Sequence, residues 1–390
     1  MNYRTQVFDG FTRMDAERWR SLWAASPQPT PFTQIEFLSA MERSESACAE
    51  SGWAPLPLLV HDESGAAVAA VPLYAKSHSY GEYVFDWAWA RAFEQAGLRY
   101  YPKGLVASPF SPVPGSRLLG RDPQARSAAA HALTDFVQSS GLSSMHLLFG
   151  THEDHDALEA LGWLRRTGVQ FHWMNKGYDS FEDFLNALAQ PKRKKIRAER
   201  RKVQEAGVRC EVRWGSDITP AHWAFFYRCY CQTYLEHGNP PYLSEAFFDE
   251  VRQTMPQSFV MTLARDDTDA LIACALLLID AKHEVLYGRY WGSIARVPCL
   301  HFELAYYSPI EWAISRGIQR FEGGAQGEHK MARGFEPIET ASMHWIEQPQ
   351  FREAVANFLE REGQGMSGYL SELDDRTPFR AQETQKDAAR

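Results

Sequence analysis

The sequence predicts a mixed α/β protein made of two copies of one domain. Three observations point there. The chain has 390 residues, too long for one ordinary domain and comfortable for two. Its 45% apolar and 23% charged residues give the balance of a globular chain. A hairpin, an aromatic segment, a helix, a glycine and a strand recur in each half. Aromatic residues reach 13%, which suggests large cores or grooves lined with rings. The net charge of −8 argues against a general nucleic-acid coat but allows a local basic patch.

The C-terminal half reads more clearly. Ser180 with Asp183 three positions on is a capping pattern, and Phe181, Phe184, Leu185 and Leu188 follow at helical spacing. Gln190-Pro191 opens a second helix that Gly207 ends. Val208, Cys210, Val212 and Trp214 alternate with charged residues, which predicts a half-buried strand. Thr219-Pro220 starts a helix, and Asn239-Pro240-Pro241 breaks it. Ser244 caps a short helix. Strands are expected at about 258–265, 271–280 and 284–291, joined by turns. A helix from Cys299 to Gly317 contains Pro309, so a kink is expected, or a restart capped by Ser308 with Glu311. Then come a strand from Ile318 to Glu322, the segment GGAQGEHKMARGF, a strand near 344–346 and a helix at about 350–361. Residues 363–390 read as a polar tail.

In the N-terminal half, Leu58 to Lys76 reads as a hairpin around Asp62–Gly65. It parallels Met261 to Asp280. The aromatic strand YVFDWAWAR (83–91) parallels VLYGRYWGS (285–293), and FVQSSGLSSMHLLFG parallels WAISRGIQRFEGGA. The first copy carries an insertion at about 93–120, a proline-rich segment of the kind usually kept for function. The domains are expected at 1–170 and 171–362, with a basic helix at 191–206.

The longest apolar run, Leu271 to Ile279, is far short of a membrane helix. No apolar h-region follows MNYRTQVFDG, and the six cysteines contain no C-x-x-C. A cytoplasmic protein with reduced thiols is expected.

Several residue groups invite a chemical reading. The run Lys192, Arg193, Lys194, Lys195, Arg197, Arg200, Arg201 and Lys202 covers most of one helix, leaving Ile196 and Val203 as a narrow apolar line. It is either a solvated face or a site where Arg193, Lys194, Arg197 and Arg201 hold an anion. Like charges at i,i+4 repel, and Glu199 cannot offset them all. In GGAQGEHKMARGF, glycines allow close backbone approach, and His329 is a base or acid near neutral pH. Glu322 and Glu328 add carboxylates, while Lys330 and Arg333 supply charge for an oxyanion or phosphate. It is not a Walker A loop. His301 and Glu303 are candidates for substrate binding; against this, His301 reads as a packed histidine and Glu303 near a helix start has an ordinary explanation in the helix dipole; Tyr306-Tyr307 follow. THEDHD reads as a helix cap rather than a metal site. Trp87 and Trp89 read as core residues rather than as stacking surfaces for a sugar or base.

SPFSPVPGSRLL (108–119), FHWMNKGYDSFEDFL (171–185), KRKKIRAER (192–200), GRYWG (288–292), CLHFELAYYSPIEWAI (299–314) and FEGGAQGEHKMARGF (321–335) resemble a bacterial Fem-like family of peptidoglycan biosynthesis or recognition. The resemblance covers about residues 5–362. It implies two acetyltransferase-like (GNAT) units and transfer of an acyl or aminoacyl group to an amine. The donor would be acyl-CoA or aminoacyl-tRNA, and the acceptor a muropeptide or another small molecule. Lys330 and Gly334-Phe335 match the Lys and Gly-Phe with which Fem enzymes end this unit, and the basic helix resembles their substrate- or tRNA-facing arm. Arg289 to Ile294 partly match the GNAT pyrophosphate loop, with Ile where a small residue is usual; this departure puts acetyl-CoA in doubt. The expected groove has Arg289, Tyr290 and Trp291 on one wall and Ser108 to Arg117 as a lid. The alternative is a non-catalytic double-GNAT module that binds an anionic cell-wall precursor.

Overall fold

A computed structural model describes residues 3–324 and 327–380, the Asp374 side chain excepted. Ala325 and Gln326 of the glycine-rich segment, and the last ten residues of the expected tail, lie outside the described residues. The chain forms two compact units. One holds Met1–Val169, Pro240–Ser258 and Glu339–Tyr369; the other holds Gln170–Asn239, Phe259–Ile338 and Leu370–Arg390. Segments 240–258 and 339–369 belong to the first unit, although they lie beyond Val169 in the chain.

In the first unit, β1 (Arg4–Val7) is followed by α1 (Ala16–Ala25) and α2 (Ile35–Arg43). Three antiparallel arms come next, each in two pieces. They are β2 (Trp53–Pro55) with β3 (Leu58–His61), β4 (Ala67–Val71) with β5 (Leu73–Lys76), and β6 (Lys103–Val106) with β7 (Leu119–Gly120). Pro57 and Pro72, which lack an N–H for a ladder, fall at the first two breaks. Before the third arm comes α3 (Trp87–Gln95). The crossover helix α4 (Pro123–Ser140) is capped by Asp122, with Pro123 in its first turn, and Gly141 ends it in the left-handed conformation. It delivers β8 (Ser144–Leu148) parallel to β6. α5 (His152–Glu159) has the expected cap, with a capping box between Thr151 and Asp154.

The second unit has the same plan. Before its sheet come β9 (Leu164–Met174), α6 (Phe181–Ala187) and the basic helix α7 (Gln190–Glu205). The antiparallel arms are β10 (Arg209–Trp214), β11 (Phe259–Arg265), β12 (Leu271–Asp280) and β13 (Val285–Ser293). α8 (Pro220–Glu236) packs on this sheet, while α9 (Glu245–Thr254) belongs to the first unit, where Phe247 meets Phe37 edge-on at 5.4 Å. A crossover made of α10 (Leu300–Phe302), a π-helical turn (Glu303–Tyr307) and α11 (Ser308–Ser315) brings β14 (Arg320–Glu322) parallel to β13. β9 then pairs antiparallel with β14, placing His172 opposite Glu322. In the first unit, β15 (Glu336–Ile346) stands in the equivalent place beside β8, with His344 opposite His146. The chain closes with α12 (Pro349–Asp375). The two hairpins thus occupy equivalent arms, and the internal repeat is real.

Four local expectations change. YVFDWAWAR is not a strand: Ala-rich WAWARAFEQ favours a helix, which buries Trp89 and Phe93 four residues apart and leaves Trp87 exposed. The insertion is therefore two pieces, 77–102 ahead of the third arm and 107–118 inside it. Pro309 does not restart its helix with a Ser308 cap; a π turn stands before it. Ser308 stays helical and its N–H reaches back five residues to the Glu303 carbonyl, so the π turn accommodates the proline. α12 runs 14 residues past the expected end at 361 because Leu373 is fully buried and anchors its far turn.

Five histidines are held well below their ordinary pKa, chiefly by burial: His146 and His172 at about 3, His155 and His301 at about 4, and His344 in the same direction. The unfolded chain binds protons below about pH 6.5 that these rings cannot take in the folded state. Glu82 and Asp154, raised by burial to about 7 and 6, work in the opposite direction but are fewer. Stability should therefore fall as pH drops from about 6.5 towards 4. Urea midpoints measured between pH 7.5 and 4.5 will show it; a flat profile would mean that the rings are solvated.

Candidate functional site

Beyond the Tyr287–Glu322 pairing, β14 ends and the chain turns away through Gly323 and Gly324. Both glycines have a physical reason. Gly324 has φ +83°, and a Cβ on Gly323 would lie 2.9 Å from the Phe335 ring and 3.1 Å from the Lys330 stem. After the two residues that lie outside the description, Glu328–Arg333 forms a 3₁₀ turn. Lys330 is buried and donates to the Gly324 carbonyl at 2.9 Å. Burial lowers its pKa to about 8, so it remains mostly charged at neutral pH.

His329 lies on the outer side of this turn. Its Nε2 is 3.2 Å from the Tyr306 hydroxyl, which the π turn presents. Partial burial, with Lys330 and Arg333 nearby, lowers the His329 pKa. Burial raises Tyr306 to about 12, so the phenol keeps its proton. A row of rings continues from there. His301 meets Tyr306 at 5.6 Å and Trp291 at 5.1 Å, both edge-on. The structure therefore gathers His329, Lys330, His301 and Trp291 from the expected set. It adds Tyr306, outside the expected set, and His172, whose Nε2 is 3.2 Å from Gln170 and whose pKa Lys330 helps to depress. The period-two spacing of Gln170 and His172 on a buried face was the available signal.

Other expected residues have internal work. Arg333 is buried; its Nη2 is 3.1 Å from both Glu199 oxygens, and its Nη1 donates to the His329 carbonyl at 2.8 Å. It also lies 3.5 Å over the Phe302 ring. Glu303 is buried beneath Arg200, accepting from it at 3.0 and 3.1 Å, and from Ser308. Glu322 is buried with its Oε1 3.1 Å from Arg320. Glu328 is exposed and pairs with Arg376 at 2.6 Å. Arg333 and Glu303 are thus framework residues rather than ligand-binding ones.

Arg117 is likewise corrected. It is fully buried in the first unit, and its guanidinium donates to the carbonyls of Val113, Gly115 and Ser116. The segment 107–118 is buried almost throughout, so it is a packed insert and not a lid. Arg289 is the extra residue of a β-bulge, since Leu276 pairs with Tyr290 and Leu277 with Gly288. It lies 5.4 Å from the Tyr290 ring. Gly292 is not a phosphate-loop glycine. It is a strand residue, and a Cβ there would meet the Cys229 carbonyl of α8 at 2.6 Å.

On α7, Ile196, Glu199 and Val203 face inwards. Arg197 pairs with Glu182, and Arg193 donates to Asn186 at 3.1 Å. Lys194, Lys195, Arg201 and Lys202 remain exposed, with no ion pair among the described residues. Their spacing of one and seven puts them on one stripe.

This plan is that of two GNAT-like units, and solved structures share it. L-PGS from Bacillus licheniformis gives a TM-score of 0.53 at 9% identity, over 88% of this chain and 97% of that one. The C-terminal domain (DUF2156) of a protein described as a lysylphosphatidylglycerol synthetase, from Agrobacterium fabrum, gives 0.51 at 12% identity, over 89% and 96%. Among curated proteins no sequence matches. The chain belongs to the FemAB-like family of peptidoglycan biosynthesis/recognition, whose model matches residues 10–381.

Removing one side of the Glu199–Arg333 pair strands a buried charge. Arg333→Ala should cost about 3–5 kcal/mol in urea unfolding, and the double change Glu199→Gln/Arg333→Met should recover most of it. Equal losses in both variants would mean that packing, not charge, is at stake.

Proposed function

We propose that the second unit catalyses transfer of an acyl or aminoacyl group to an amine. The observation that supports this best is the Tyr306–His329 contact beside buried, cationic Lys330 at the end of β14. In the reaction the amine nitrogen forms a bond to the acyl carbonyl. The ester or thioester bond breaks, and the leaving oxygen or sulfur takes a proton. The neutral imidazole of His329 accepts the proton that the amine loses, held by Tyr306. Lys330 and backbone N–H groups of the turn stabilise the tetrahedral oxyanion. The family match supports an acceptor related to peptidoglycan precursors, a muropeptide or similar small molecule. The exposed stripe of α7 supports an anionic donor, and aminoacyl-tRNA fits it better than acyl-CoA. The non-catalytic alternative draws on the same stripe, and phosphate-ligand binding without any turnover would select it.

Acyl-CoA and aminoacyl-tRNA donors should be assayed with muropeptide acceptors. His329→Ala and Lys330→Met should each lower turnover by about 10²–10³. Melting should stay near wild type for His329→Ala. Full turnover in both variants would move the chemistry elsewhere.

Lys194→Glu/Arg201→Glu should weaken tRNA binding and reduce the slope of log K against log salt by about 1–2. An unchanged slope would reduce the stripe to a solvated face.

A further inference from the structure

Sequence reading placed Trp87 in the core; the structure puts it at the surface. Trp87 is 43% exposed, Phe85 45% and Tyr80 59%. Phe85 and Trp87 stack with centroids 4.6 Å apart and planes 25° apart, and Tyr80 stands 6.2 Å from Trp87 at 58°. The result is a two-ring shelf with a tilted wall that carries a hydroxyl.

The shelf belongs to the segment 77–102, which joins β5 to β6. The equivalent connection in the second unit, between β12 and β13, is only residues 281–284. The extra chain is held rigidly from below. Fully buried Lys103 donates to Ser79 at 2.9 Å, to Glu82 at 2.8 Å and to Asp86. Tyr100 also donates to Asp86, and Arg166 holds the Phe85 carbonyl at 2.8 Å. Gly81 has φ +81° and faces the Phe110 ring, where a Cβ would sit 2.6 Å away. Burying an ammonium and two carboxylates is poor value for stability alone, and it fixes one loop conformation. Rigid aromatic rings that stay in water are preorganised for a ligand, because little entropy is left to lose on binding.

Charge narrows the ligand class. Between Ser77 and Lys103, Glu82, Asp86 and Glu94 are balanced by Arg91, Arg99 and Lys103. A polyanion or an anionic bilayer would be matched by a basic excess, which this segment lacks. We propose that Tyr80, Phe85 and Trp87 form a stacking subsite for a pyranose ring of an uncharged glycan segment. The flat shelf takes the apolar face of the sugar, and the Tyr80 hydroxyl meets its rim. The choice of an N-acetylated sugar rests on the acceptor reading above.

Calorimetric titration of the full chain with the N-acetylglucosamine tetramer tests this without requiring turnover. Trp87→Ala and Phe85→Ala should each weaken binding about tenfold or more. Leu235→Ala, a still more exposed apolar change in the second unit, and Lys330→Met should leave it unchanged. Melting of the two aromatic variants should stay near wild type. A transferase assay that fails while Trp87-dependent glycan binding persists would sink the catalytic reading and leave the subsite standing. No binding by wild type at about 10 mM sugar, binding indifferent to both aromatic variants, or Trp87-dependent flotation with phosphatidylcholine vesicles in place of glycan binding would each overturn the proposal.

Discussion

The candidate site depends on one ion pair, Glu199 with Arg333. Glu199 sits on a helix that otherwise carries eight lysines and arginines, and it faces inwards instead of offsetting them. There it accepts both N–H···O contacts from Arg333 and a hydrogen bond from Tyr307. Arg333 in turn holds the His329 carbonyl. A single buried carboxylate therefore ties together the basic helix, the crossover helix and the turn that carries His329 and Lys330. The same choice leaves the outer stripe of α7 without internal compensation. A solvated surface helix would gain by turning Glu199 outwards, where it would offset Lys195 and Lys202.

Two copies of one topology make the contrast between them informative. Where the parallel strands part in the second unit, the chain leaves through glycines and stays thin, with a buried lysine beneath. In the first unit the third arm is interrupted at the same level by 107–118. That insert fills its surroundings with buried side chains, and Arg117 satisfies its carbonyls from within. The polar cross-strand pair is kept in both units: His172 faces Glu322 in one, and His344 faces His146 in the other. In the first unit the pair is closed off, with ring nitrogens 2.8 Å apart and a serine on each outer nitrogen. The first copy thus closes its polar pair within the sheet and packs its extra length as buried loops, whereas the second leaves its glycine turn open beside Lys330.

The helices and hairpins of the second half were legible because caps, prolines and period-two patterns are local signals. Ser180, Pro191, Thr219 and Ser244 all mark true helix starts. The repeat was legible as well, because hairpin length and the helix–glycine–strand ending survive insertion. WAWARAFEQ misled because alternating Ala and Trp mimics a strand, and only the packing of Trp89 against Phe93 reveals the helix. In the site, His329 and Lys330 stood out by residue type. Arg333, Glu303 and Arg117 looked alike as charges, and sequence spacing carries no record of the carboxylate or carbonyl that each finds after folding. Tyr306 escaped selection because its direction comes from the π turn, which answers to Pro309 three residues later.

The end of β13 shows how one residue can support opposite readings. A glycine after Arg-Tyr-Trp suggests a backbone opened to phosphate, and such a loop would need its N–H groups free of the sheet. Here Cys274 pairs with Gly292 and Ala273 with Ser293, so the segment remains in the ladder. The absence of a side chain at Gly292 is used by α8, whose Cys229 carbonyl occupies the space, and Thr233 one turn later donates to the Trp291 carbonyl at 3.1 Å. Positive charge accessible to a phosphate-bearing ligand lies instead on α7, on side chains rather than backbone. Long lysine and arginine side chains make a diffuse, salt-sensitive contact with a chain of phosphates, whereas a glycine loop grips one pyrophosphate closely. The second unit thus keeps the GNAT topology with its exposed cationic stripe on α7, and the proposed polyanionic donor rests on that placement.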